Sequence, residues 1–161
     1  MVEMAVTLVL AAAIMAALVG VLKTASNELE SLQKIDRVEP LRAVVDALER
    51  DLMRASSISR DLNWYHLDGV FVEHDGQVAR RVSYGIGSGF LDGQTVIQRS
   101  SRGWTEALHY DVGRLLIERV DSAGNPQPIT ERQVASPAHV RVWIWFQGES
   151  QAALVRDVVV R

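Results

Sequence analysis

Hydrophobic and polar positions follow three different rhythms along the chain. From Met4 to Leu22 there is none: nineteen consecutive positions carry no charge and one hydroxyl, that of Thr7. A helix rises about 1.5 Å per residue, so about twenty apolar residues cross the hydrocarbon of a bilayer. The stretch is apolar all round and has no face for water, which predicts a membrane-spanning helix over residues 1–22, with Met4, Leu8, Leu10, Ile14, Leu18 and Leu22 toward lipid or a neighbouring helix. Glu3 is the one charge at its head, and it requires either a partner or a place at the membrane–water boundary.

From Lys23 the rhythm becomes helical and charged. Lys23 to Arg60 holds seven basic and seven acidic residues, several at helix-neighbour spacing: Glu30 with Lys34, Glu39 with Arg42, Asp46 with Arg50, Asp51 with Arg54. Leu29, Leu32, Ile35, Val38 and Leu41 recur every third position, a stripe that winds around a helix and cannot face one core throughout. At Leu41 the spacing changes. Leu41, Val44, Val45, Leu48, Leu52 and Ala55 share one face, which predicts that this part packs on the chain's own domain through Leu41, Val45, Leu48 and Leu52. Residues 23–39 are expected to protrude and to offer their winding stripe to other molecules, with Pro40 weakening the helix at the junction. The expectation is thus an amphipathic helix over 23–60.

From Asp61 the period moves toward two. Gly69 to Glu73, Gln77 to Tyr84, Gln94 to Gln98, Trp104 to Tyr110 and Arg114 to Val120 read as strands. Gly85, Gly87 and Gly89 read as a flexible loop, and Asp121 to Pro128 as the clearest loop of the chain. In His139 to Phe146, Val140, Val142, Ile144 and Phe146 face one way, and Arg141, Trp143 and Trp145 the other. Ala152 to Val160 closes a C-terminal hairpin. Strand after strand with short turns predicts an antiparallel sheet over 61–161. The fold expected is α+β: a long N-terminal helix, half membrane and half amphipathic, packed on an antiparallel β-sheet domain.

Composition narrows function mainly by exclusion. The 161 residues carry a net charge of −3 and no cysteine, so neither polyanion binding as a whole nor disulfides nor thiolate metal sites are indicated. A cleaved signal peptide fits poorly, since the apolar run is too long and no basic segment precedes it. His66, His74, His109 and His139 are scattered, without metal-ligand spacing. No Gly-x-Ser-x-Gly elbow is present, and the glycine-rich stretch lacks the helix and Gly-Lys-Ser/Thr of a phosphate loop. Asp51, Asp61, Asp68 and Asp75 suit caps and turns better than acid/base work. Asp111 with Glu118 or Asp121 is a weak calcium candidate. Arg80, Arg81, Arg99 and Arg102 gather near one hairpin, but without interleaved aromatics they make a poor nucleic-acid surface. Trp143 and Trp145 form either an exposed apolar patch or core under the helix; the need for large side chains between helix and sheet favours core. No catalytic residue, metal or cofactor is expected, and no nucleic acid.

The opening Val2-Glu3-Met4-Ala5-Val6-Thr7-Leu8 resembles the start of a type IV pilin-like subunit, where a glutamate precedes a long apolar run. Met1 falls where that family has leucine. The family's Phe-Thr pair, preceding glycine and basic leader do not appear, so the expected true start lies upstream or the sequence is trimmed. Leu41 to Arg60, with its Leu-Glu-Arg-Asp-Leu core, and Pro137 to Val142 are similar to J-type minor pseudopilins of type II secretion. The resemblance implies a subunit held in the bacterial inner membrane, domain outside the cytoplasm, and assembled into a pseudopilus or pilus-like filament. Glu3 would pair with the N-terminal amine of a neighbouring subunit. Partners would be other pilin-like subunits, an inner-membrane platform protein, an assembly ATPase acting indirectly, a prepilin peptidase and membrane lipid. The competing expectation is a single-pass, membrane-tethered β-rich binding or sensor domain with no filament role.

Overall fold

The computed structural model describes residues 2–89, 93–130, 134–135 and 138–160, with the side chains of 2–13, 29–36 and 134 outside the description. The chain divides into two compact units, Met1–Glu39 and Pro40–Arg161. Helix α1 (Val2–Arg54) supplies the first unit and continues into the second, with Pro40 at the boundary. In the first unit, every described side chain from Ile14 to Glu28 is exposed.

The second unit begins with the part of α1 whose apolar residues keep one face. Leu41, Leu48 and Leu52 are fully buried, and Val44 and Val45 nearly so. Each such side chain contributes about 2 kcal/mol by leaving water. The helix ends at Arg54, short of Arg60, and the chain enters β1 (Ala55–Asp61) with no intervening loop. Close packing of the next strand makes this abrupt exchange feasible. In β2 (Trp64–Val72), Gly69 lies against the Arg54 carbonyl, where any Cβ would collide with backbone.

Eight further strands follow: β3 (Val78–Ser88), β4 (Thr95–Ser101), β5 (Trp104–Tyr110), β6 (Val112–Val120), β7 (Pro126–Pro128), β8 (Val134–Ala135), β9 (His139–Phe146) and β10 (Leu154–Val159). They form two antiparallel sheets. One has the order β5-β4-β3-β2-β1-β8, the other β10-β9-β6-β7. The sheets meet where β6 packs on β3 and β4. Tyr65, Leu67, Phe71, Val82, Tyr84, Ile97, Ile117 and Ile144 belong to the resulting core.

The expected fold class is therefore corrected. The protein is mostly β, and its strands make two sheets instead of one sheet carried on a half-membrane helix. The chain changes sheet between β5 and β6 at Asp111, whose backbone takes the left-handed φ of 62°. A residue in that conformation breaks the extended run and turns β6 away from β5. Among the described residues, no helix is long and apolar enough to cross a membrane. The described side chains of the apolar run start at Ile14, and Lys23 follows its end at Leu22.

The glycine-rich segment is also corrected. Gly85 and Gly87 lie inside β3, paired with Gln98 and Val96 of β4. Absence of a side chain there makes room for neighbours: the Trp64 ring lies 2.6 Å from where a Cβ on Gly85 would stand, and the Gln98 side chain covers Gly87.

Candidate functional site

The densest polar cluster of the second unit sits where α1 meets the six-stranded sheet. Position 51 falls within the helix face that Leu48 and Leu52 bury, so Asp51 is drawn under the sheet with them and is 7% exposed. Tyr84 of β3 donates its hydroxyl to Asp51 Oδ2 at 2.7 Å. Arg99 of β4, directly opposite Tyr84 in register, donates Nε to the same oxygen at 3.0 Å. The other end of the guanidinium makes two 3.0 Å bonds to Glu73, just beyond β2. Ser101 donates to Glu73 Oε1 at 2.7 Å. The cluster thus ties a helix, a turn and the strands β3 and β4.

The electrostatics follow from this geometry. The hydrogen bond from Arg99 holds the Glu73 carboxyl below its ordinary range, against the opposing effect of burial. Burial works against the charge on Arg99, yet its bonds to Glu73 and Asp51 outweigh that and keep it protonated above its usual range. Burial, followed by the negative charge of Asp51, pushes the Tyr84 phenol far up, so it stays a donor. These groups satisfy one another. The cluster acts as a latch. A cleft of about 220 Å³ opens beside it, between Ala47, Arg50 and Arg54 of the helix and Glu106 and Leu108 of β5.

Of the four arginines that gather near one hairpin in the sequence, three are held in ion pairs. Arg81 bonds Asp68 at 2.7 Å, Arg102 bonds Asp75 at 3.0 Å, and Arg99 is held as described. Asp75 also accepts the Gln77 amide, and Asp121 closes its own turn by accepting the Ala123 and Asn125 amides. His66 Nδ1 lies 2.8 Å from the Ser83 hydroxyl. Among the described residues, no group of three His, Asp or Glu side chains could hold a metal ion.

The tryptophans are not core. Arg156 lies opposite Val142 and reaches Glu49 of α1 at 3.5 Å, so the helix lies on the face of Val140, Val142 and Ile144. Trp143 and Trp145 take the other face of β9, half-buried, stacked with centroids 5.9 Å apart and planes at 13°. Arg114 lies over Trp145 at 4.7 Å and Arg141 over Trp143 at 5.9 Å. Trp143 Nε1 donates to Glu118 at 3.0 Å. The Arg–Trp–Trp–Arg stack covers its own aromatic faces through cation–π contacts.

The residues expected at the membrane divide by description. Glu3, Met4, Leu8 and Leu10 lie outside the described side chains. Ile14, Leu18 and Leu22 are 56%, 52% and 66% exposed. Leu41, Val45, Leu48 and Leu52 are buried. The latch escaped the sequence reading, although an acid at position 51 within an apolar helix face was a usable signal for Asp51. Nothing in the sequence announced Arg99 as its partner. No family model matches the chain, and no curated protein matches it.

Proposed function

We propose that the chain is a minor pilin-like subunit. Its N-terminal segment enters the bacterial inner membrane and then packs among other pilin-like subunits in a type II pseudopilus or a pilus-like filament. The observation that carries this reading is the apolar surface of the first unit. Met15, Val19 and Val21 are 65%, 63% and 67% exposed, alongside Ile14, Leu18 and Leu22. A helix apolar on every side is stable only when lipid or another helix covers it. In the sequence, Glu3 heads that run. An unpaired carboxylate in lipid is penalised by several kcal/mol, so a neighbour whose terminal amine meets Glu3 is selected by stagger. The platform protein, the ATPase and the prepilin peptidase enter as the partners that such assembly requires. The second unit contributes specificity through its surface, with no catalytic step.

Engineered cysteines test this directly, because the chain has none of its own. A cysteine at Leu18 or Val21, paired with one introduced into the N-terminal helix of a neighbouring pilin-like subunit, is expected to form a disulfide in membranes under copper-phenanthroline oxidation, and Glu3→Gln to lower the yield at least several-fold. If the yield is indifferent to Glu3 and an unrelated apolar helix replaces residues 4–22 without loss, the filament reading fails and the protein is a tethered β-rich domain.

A further inference from the structure

Strand β10 ends the four-stranded sheet, and among the described residues it pairs only with β9. The Val160 amide donates to the Ala138 carbonyl at 2.8 Å, in line with the β9–β10 register. Hydrogen-bonding positions alternate along an antiparallel strand. Leu154, Arg156 and Val158 therefore bond to β9, while Val155, Asp157 and Val159 turn their amides and carbonyls outward. Val155 and Val159 are 47% and 64% exposed, and Asp157 is exposed as well. Natural edge strands are usually covered or guarded.

The guard here is selective. Across the tryptophan-bearing face of the sheet, the register aligns an apolar row, Leu116–Trp143–Val155, beside a charged row, Glu118–Arg141–Asp157. The charged row alternates negative, positive, negative, and Arg141 bonds Asp157 at 2.6 Å. The next strand would continue these rows with a basic residue opposite Asp157 and apolar residues opposite Val155 and Val159. A second copy of β10 supplies that poorly, because its one basic residue, Arg156, lies on the opposite face of the strand. In antiparallel self-pairing about a two-fold axis, centred registers set Arg156 against Arg156 or Asp157 against Asp157, and like charges directly opposite repel.

We propose that β10 is a docking edge for an extended segment of a different protein with the pattern apolar–x–Lys/Arg–x–apolar, added as a fifth strand. The site lies wholly in the second unit and stands apart from the filament reading.

The test uses the isotope-labelled full chain in mild detergent and two capped peptides, Thr-Val-Thr-Lys-Thr-Val-Thr and the same sequence with Glu for Lys. The lysine peptide is expected to slow amide exchange at Val155, Asp157 and Val159. The glutamate peptide should bind about fivefold more weakly. Asp157→Lys should reverse that preference. Val159→Pro removes an outward donor and no bond to β9, so it should abolish binding with the circular dichroism unchanged; if it unfolds the sheet, Val155→Pro serves instead. The proposal is overturned by no protection of these amides, by protection of the β5 edge in their place, by equal affinity for the two peptides, or by unchanged binding to a folded proline variant.

Discussion

Arg99→Met tests the latch most severely. The substitution keeps the aliphatic stem but withdraws a guanidinium from two carboxylates, Asp51 and Glu73, each 3.0 Å away. The side chains of Arg99, Asp51 and Glu73 are 13%, 10% and 17% exposed, so water screens them little. Each pair is worth about 4 kcal/mol in Coulomb attraction at an effective dielectric of about 20, most of it offset by desolvation. Removing one partner of such a pair costs about 3–5 kcal/mol, because the remaining charge stays buried. For a domain of this size that lowers Tm by about 10–20 °C. The assay is thermal and urea unfolding of the full chain in mild detergent at pH 7 and pH 4. In the wild type, the depressed Glu73 carboxyl contributes stability above its unfolded value of about 4.3, lost as pH falls through its lower folded value. In the variant the orphaned Glu73 carboxylate is penalised while charged and relieved on protonation. The gap between the two proteins should therefore narrow from pH 7 to pH 4. Glu106→Gln is the control: that carboxylate is 59% exposed and 3.5 Å from Arg99, so its loss should cost under about 0.5 kcal/mol. A loss below about 1 kcal/mol for Arg99→Met at pH 7, or a gap equal at both pH values, would refute the latch.

Two further substitutions probe the packing. Gly69→Ala drives a methyl into the Arg54 carbonyl at the helix-to-strand exchange and should cost at least about 1–3 kcal/mol in urea unfolding; a neutral result would mean that β2 does not approach the helix end this closely. Tyr65 is 1% exposed, and its hydroxyl meets the Ile117 backbone in a geometry too distorted for a full hydrogen bond. Burial pushes that phenol up. Tyr65→Phe should then be neutral or stabilise by up to about 1 kcal/mol, and a calorimetric loss above that would show the hydroxyl to be satisfied.

Local periodicity carried everything that could be read in the sequence. The change of spacing at Leu41 marked the helix face that is buried, and the alternation in His139 to Phe146 separated valines from tryptophans. Both reflect the fixed geometry of a helix turn and a pleat. The helix expected from the sequence overruns its true end, because no glycine or proline stands between Arg54 and Arg60 to stop it; the pairing of Ala55 to Asp61 with β2 shows that β1 has begun. Gly85 and Gly87 read in the sequence as a loop, because a glycine's neighbours in space are not its neighbours in the chain. Asp51 reads in the sequence as a cap or turn residue and a helix-neighbour of Arg54, and only its burial beside Leu48 and Leu52 shows that it belongs to the latch. Its bond to Arg99 spans 48 residues and that of Arg99 to Glu73 spans 26.

Local patterning along the chain establishes the uncharged run headed by Glu3, the amphipathic face from Leu41 to Leu52 and the strand-rich character of residues 61–161. Those are properties of short stretches, set by backbone geometry and by the aversion of apolar side chains to water. The tertiary structure alone decided that the strands divide into two sheets, that Val142 and not Trp143 faces the helix, and that β10 is left with an open edge. Which strand lies beside which depends on contacts between residues far apart in the chain, and local periodicity carries no record of them.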